Sequence, residues 1–154
     1  MRVSSKGRYA VVALLDVAQN SAVRPASLAD VATRQKISLS YLEQLFAHLR
    51  RAGLVGASRG PGGGYRLQRS AAEISVADVF QAVEDVANVP SEPGTRDWSE
   101  GPAAELWTAL DEHISRFLEK TSLAELIADE SAGTQAFRSV PEARPGLSGA
   151  GKVA

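Results

Sequence analysis

Two adjoining stretches decide the fold of this chain: ISLSYLEQLFAHLRRAGL at residues 37–54 and VGASRGPGGGYRLQ at residues 55–68. In the first, Leu42, Leu45, Phe46 and Leu49 recur at the i, i+3, i+4, i+7 spacing that gathers side chains on one face of a helix. Ser40, Tyr41, Gln44, Arg50 and Arg51 fall elsewhere on the cylinder, so one face is buried and another is left free to touch a partner. Gly53, just past the last periodic residue, suits a left-handed helix C-terminus, a conformation that a Cβ disfavours. In the second stretch, short runs of strand-forming residues flank Ser58-Arg59-Gly60-Pro61-Gly62-Gly63-Gly64. This pattern predicts a β-hairpin with an open loop, a candidate wing.

Immediately upstream, Ser27-Leu28-Ala29-Asp30 has the S-x-x-D form of a capping box and opens a short helix to about Gln35. Lys36 to Ser38 make a tight turn, and Ser40-Tyr41-Leu42-Glu43 repeats the box at the start of a second helix over 40–52. Two helices joined this closely have helix-turn-helix geometry. A further helix is predicted over Val3 to Asn20, with Val11, Leu14, Leu15 and Ala18 at helical spacing and Ser4 or Ser5 as its cap. Lys6 and Arg8 lie in its first turn, where the helix dipole disfavours cations. A nearby phosphate would offset that cost, and so would plain hydration.

A helix about 10–12 Å across fits the major groove of DNA, where the N-terminal residues of a recognition helix reach base edges. Ser38, Ser40, Tyr41 and Gln44 stand in that place. The Gln44 amide can pair in bidentate fashion with adenine, and Glu43 can accept from cytosine N4. Glu43 has a second reading as the carboxylate that closes the capping box. Arg50, Arg51, Arg59 and Arg66 are candidates for phosphate contacts, with Arg59 at the wing also suited to a narrow minor groove. The glycine-rich loop is not a nucleotide cradle of the P-loop type, because Gly64 runs into strand-like Tyr65-Arg66-Leu67 rather than Lys-Ser/Thr and a helix.

Charge supports the same division of labour. Residues 1–70 hold 11 Lys/Arg against 3 Asp/Glu, a net +8, and residues 71–154 hold 6 against 15, a net −9. The basic part has the footprint of something that meets polyphosphate, and the acidic part should stay off it. The 154 residues include no cysteine, which excludes disulfides and every thiolate-held metal. His48 and His113 lack a partner at metal-ligand spacing. No apolar run is long enough for a membrane span, and a cytoplasmic protein is expected. Neither a Ser/His/Asp set nor an HExxH motif suggests an enzyme.

Downstream, Ser75-Val76-Ala77-Asp78 opens another boxed helix, ending near Asp85. Residues 87–101 are rich in Pro, Gly and Ser without periodicity and read as a loop. Pro102 to Glu119 is predicted as a helix of roughly 27 Å with Pro early in its first turn. Ala103, Trp107, Leu110, Ile114, Phe117 and Thr121 form an a/d-like seam along it. Trp107, Leu110, Ile114 and Phe117 are thus candidate dimerisation residues, although the stripe could also pack on its own domain. Ser122 caps a last short helix to about Asp129, and residues 131–154 have the composition of a disordered tail. The expected organisation is a domain over 1–86, a loop over 87–101, a helical pair over 102–130 and the tail.

The segments SSKGRYAVVALLDVA, ISLSYLEQLFAHLRRAGLV and SRGPGGGYRL, in this order, closely resemble the Rrf2 family of bacterial winged-helix transcription regulators, and within it the iron–sulfur cluster regulators. The resemblance is dense over residues 1–86 and looser as far as Leu126. It implies a mainly α fold: a winged helix-turn-helix with a small β-hairpin wing and a long C-terminal dimerisation helix. It also implies a homodimer on palindrome-like double-stranded DNA, with the helix over 40–52 in the major groove and the wing over 59–65 in the minor groove. The family's DNA-contacting positions carry over to Ser38, Ser40, Tyr41, Glu43, Gln44, Arg59 and Gly60. Cluster-binding members place cysteines in the loop corresponding to 87–101, where this chain offers Glu92, Asp97, Glu100 and nearby Glu105 instead. Carboxylates are hard ligands, whereas cluster iron prefers thiolate, so no cofactor is expected. The alternative is a winged-helix interaction module or small-ligand-responsive module, whose DNA binding is controlled by a protein partner or small-molecule effector.

Overall fold

Ser4 holds the extended conformation before the first helix and its side chain accepts from the backbone N–H of Gly7, so helix α1 runs Ser5–Asn20. The computed structural model describes residues 3–84 and 98–131, and places six α-helices and one hairpin among them. After α1 come α2 (Leu28–Gln35), α3 (Leu39–Arg51), β1 (Val55–Ser58) and β2 (Gly64–Leu67). A 3₁₀ turn at Ala71–Glu73, α4 (Val76–Val83), α5 (Ala104–Lys120) and α6 (Leu123–Ser131) complete the order. The result is mainly α with one small antiparallel sheet, as expected.

The serine caps set most boundaries. Ser27 accepts from Asp30 N at 3.1 Å, Ser75 and Asp78 cap each other at 3.0 and 3.1 Å, and Ser122 and Glu125 do so at 2.7 and 3.2 Å. The start of α3 differs from the sequence reading. Ser38, not Ser40, is the N-cap, accepting from Tyr41 N at 3.3 Å. The reason lies one turn earlier: Lys36 adopts a left-handed φ of 55°, which drops Ile37 into the core and leaves Ser38 extended at the helix mouth. Glu43 therefore lies beyond the first turn and closes no capping box.

The far end of α3 follows expectation. Gly53 has φ 74°, its N–H donates to the Arg50 carbonyl and that of Leu54 to the Leu49 carbonyl, each at 3.0 Å. These are the two bonds of a Schellman motif, which turns the chain directly into β1. The strands pair from Val55↔Leu67 to Ser58↔Gly64. Ala26 adds an isolated bridge to β2, exchanging two backbone bonds with Tyr65 at 2.8 and 2.9 Å. The wing root is thereby fastened to the segment that opens α2.

The predicted inner face of α3 is the centre of the molecule. Leu42, Leu45, Phe46 and Leu49 are fully buried together with Leu14 and Val17 of α1, Val31 of α2, Val79 of α4, and Ile74. Leu123 of α6 is in the same cluster. The C-terminal helices are therefore not a separate layer. Val76 N donates to the Thr121 carbonyl at 2.8 Å and Leu123 N to that of Ile74 at 2.9 Å, which stitches the α5–α6 corner onto the first residues of α4.

Helix α5 differs in its start. Pro102 stands outside it and Ala103, with a left-handed φ of 70°, is the N-cap, so proline does not occupy the first turn. Ser131, assigned to the tail, is instead the last residue of α6. The loop reading for 87–101 falls largely, and the tail reading almost wholly, outside the described residues. Among the described residues no helix is long and apolar enough to cross a membrane.

Candidate nucleic-acid interface

With Leu42, Leu45, Phe46 and Leu49 turned inward, helical geometry sends Ser40, Glu43, Gln44 and Ala47 to the opposite side of α3, where all four are exposed. Ser40, Glu43 and Gln44 have no side-chain hydrogen bond among the described residues, which leaves two acceptor oxygens, one amide and one hydroxyl along the outer face. Ser38 is exposed at the helix mouth, with its oxygen engaged by Tyr41 N. Its hydroxyl proton remains available to an acceptor, beside first-turn N–H groups that lack intrahelical partners.

Tyr41 is placed differently from its neighbours. It is half-buried and meets Tyr9 of α1 edge-on, with ring centroids 5.8 Å apart and an interplanar angle of 87°. Tyr9 itself is 47% exposed and escaped the sequence reading, since an aromatic residue inside an Ala/Val-rich helix carries no local sign of its partner. The contact brings the first turns of α1 to the first turn of α3. Arg8, exposed, and Lys6, half-buried, therefore lie close in sequence to a residue that touches α3.

The remaining cations divide. Arg59 and Gly60 are exposed in the loop of the hairpin, and Arg50 is exposed in the last turn of α3. Arg51 lies against its own helix, with Nη2 3.2 Å from His48 Nδ1. Arg66 donates from Nη2 to the Val23 carbonyl at 3.1 Å, which directs it toward the linker between α1 and α2. On the inner side of the same strand, Tyr65 packs edge-on against Phe46 with centroids 4.9 Å apart, coupling wing root to α3. Gly64 allows β2 to lie close against Ala26, because a Cβ there would lie 2.3 Å from the Ala26 carbonyl oxygen.

An ion pair with a buried carboxylate and a partly exposed guanidinium ties α2 to α1. Asp16 of α1 is 3% exposed and accepts from Arg34 Nη2 at 2.6 Å, from Arg34 Nε at 3.0 Å and from Gln35 Nε2 at 2.7 Å. Burial alone would raise the carboxyl pKa. The hydrogen bonds from Arg34 and Gln35, with the Arg34 charge and a further bond from Asn20, outweigh it, and the net shift is downward. Arg34 is thus committed to structure, although its position in a helix-turn-helix makes it look like a DNA contact.

On α5 the candidate dimerisation residues present a partly uncovered stripe. Trp107, Leu110 and Phe117 are 39%, 47% and 56% exposed, Leu106 adds to them, and Ile114 is half-buried. Thr121 at the end of the seam is buried in its own domain. His113 Nδ1 lies 2.7 Å from the Ala109 carbonyl oxygen. Among the described residues no three His, Cys, Asp or Glu side chains come together as a metal site.

Comparison with known proteins identifies the family and the fold. The family model for Rrf2, described as an iron-dependent transcriptional regulator, matches residues 3–129. The HTH-type transcriptional regulator IscR of Vibrio atlanticus is 49% identical over 132 residues, covering 84% of this chain and 76% of the relative. IscR of Serratia proteamaculans is 49% identical over 133 residues, covering 84% and 81%. Among solved structures, T. potens IscR superposes with a TM-score of 0.69 at 35% identity, over 90% of this chain and 96% of that one. CymR, the global cysteine regulator of B. subtilis, gives 0.69 at 33% identity, over 83% and 97%. An enzymatic reading has no support among these relatives, which are regulators. The chain belongs to the Rrf2 family of transcriptional regulators.

Proposed function

We propose that the protein is a homodimeric, sequence-specific regulator that reads a palindrome-like operator in the cytoplasm, with α3 in the major groove and the hairpin loop in the minor groove. The observation that carries this reading is the outer face of α3, where Ser40, Glu43 and Gln44 stand exposed and unpartnered on a helix whose other side is the centre of the core. Gln44 would read adenine and Glu43 cytosine, while Ser38, Lys6, Arg8, Arg50, Arg51, Arg59 and Arg66 engage phosphate and sugar. Tyr41 would add its hydroxyl from beside Tyr9. The exposed apolar stripe of α5, over a helix about 26 Å long, supports pairing with a second copy. Pairing would set the two reading heads about one DNA turn apart.

A thiolate-held iron–sulfur cluster does not fit this chain. Cluster iron is held by thiolates, and the 154 residues contain none to supply. Regulation is therefore assigned to something other than an iron–sulfur cluster, through a small molecule or a protein partner. In vitro selection from random duplexes, with protein handled under chelator, tests the reading. Enrichment of an inverted repeat bound by a dimer is the expected result, and recovery of unrelated sequences would contradict it.

A further inference from the structure

Leu39 is the first residue of α3, directly after the Ser38 N-cap, and it is 43% exposed. Ile37, two residues earlier, is buried, and Leu42, Leu45, Phe46 and Leu49 of the same helix are fully so. Leu39 stands outside the core cluster that they form. Helix formation does not call for leucine there either: the first turn carries unpaired N–H groups and the positive end of the dipole, which acidic side chains serve better, and α3 has none in its first turn. Among the described residues 3–70, the other exposed large hydrophobics are Val3, Tyr9, Val12 and Val23, before, in or just after α1; Leu39 alone lies on α3.

Its surroundings are polar. Ser38 and Ser40 flank it in sequence and are exposed, and Glu43, one turn further along the same side of the helix, is exposed too. Helical geometry thus sets Leu39 at the border between the buried row of Leu42 and Phe46 and the outer row of Ser40 and Glu43. In the major groove the base edges present hydrogen-bond donors and acceptors, with one apolar exception, the C5-methyl group of thymine. A branched aliphatic side chain laid against a donor or acceptor strips it of water without replacing the lost bond. Laid against the methyl group, it removes apolar surface of both from water.

We propose that Leu39 determines sequence specificity by packing its side chain on the C5-methyl group of one thymine in each half-site. The proposal rests on the reading of α3 as the major-groove element, for a head that carries a net +8 over residues 1–70. It adds an apolar contact to the hydrogen bonds assigned to Glu43 and Gln44, and it makes the protein sensitive to a group that takes part in no base pair.

The test uses the full chain and a selected operator in which each thymine is replaced in turn, in both half-sites, by 2′-deoxyuridine, which lacks only the methyl group. Anisotropy titrations should find one position at which the parent loses about fivefold or more in affinity, the scale of one buried methyl group per half-site. L39A should bind the thymine operator about as weakly as the parent binds the deoxyuridine one, and replacement at that position should change its affinity by less than about twofold. Leu39 is exposed, so L39A is expected to fold, which circular dichroism checks. A parent without a methyl-sensitive thymine, or a folded L39A that keeps the parent's sensitivity, overturns the proposal and leaves operator recognition by α3 standing. A parent that prefers no duplex overturns both.

Discussion

Asp16 of α1 and Arg34 of α2 form a bidentate pair across 18 residues of sequence, with the carboxylate fully inside the protein and the guanidinium at its edge. Their contact fixes the helix that precedes the turn, and through it the angle at which α3 is presented. Replacing Arg34 by Met leaves Asp16 buried with only Gln35 and Asn20 as donors. The expected loss is about 3 kcal/mol, the lower end for a broken buried pair, because the exposed part of Arg34 already keeps some hydration. Urea unfolding measures it.

The same pair sets a pH dependence. The Asp16 carboxyl titrates lower in the folded protein than its ordinary value of 3.8, so the unfolded chain binds that proton more readily. The stabilisation is fully present above that value and is lost as pH falls below it toward the folded pKa. Acid unfolding of D16N should therefore be less steep below about pH 4 than that of the parent, from a lower starting stability. Thermal melts between pH 2 and 7 give both curves.

Gly7 tests the α1–α4 packing. A Cβ at this buried position would lie 2.3 Å from Cε1 of Phe80. Alanine in a helix interior is normally preferred to glycine by about 1 kcal/mol. Here G7A should destabilise instead, by about 1–3 kcal/mol, because Phe80 must move within a filled core. The companion G7A/F80L variant, with room restored, should recover part of the loss.

The Tyr9–Tyr41 contact joins stability to recognition. Y9A should cost about 1 kcal/mol in folding, the scale of an edge-on aromatic pair beyond its burial. It should also weaken operator binding with little change in sequence preference, since it loosens the mouth of α3 without touching Glu43 or Gln44. Urea unfolding and anisotropy titrations on operator and shuffled duplexes separate the two effects.

Leu110 addresses the second copy. L110D places a charge at the middle of the exposed α5 stripe, at a residue the monomer leaves 47% exposed. Sedimentation should show a folded monomer in place of a dimer. Affinity for a two-half-site operator should drop by at least tenfold.

What the sequence made legible was local. The periodicity of Leu42, Leu45, Phe46 and Leu49 identified the buried face of α3 and therefore its outer face, and the Gly/Pro cluster marked the hairpin. The start of α3 was read two residues late, because Ser38 and Ser40 both carry capping chemistry and only the descent of Ile37 into the core decides between them. The Asp16–Arg34 pair, the Tyr9–Tyr41 contact and the return of Leu123 to the core all join residues far apart in sequence. No period or motif announces such contacts.

The most direct test of α3 as the reading element is anisotropy titration of a selected operator and its shuffled counterpart at several salt concentrations, for the parent protein and Q44A. The account predicts that the parent prefers the operator by about 10³-fold or more, with affinity falling linearly in log–log salt. Q44A should lose about 1–3 kcal/mol on the operator alone and retain the salt slope. Equal affinity of the parent for both duplexes, or an operator preference untouched by Q44A, would contradict it.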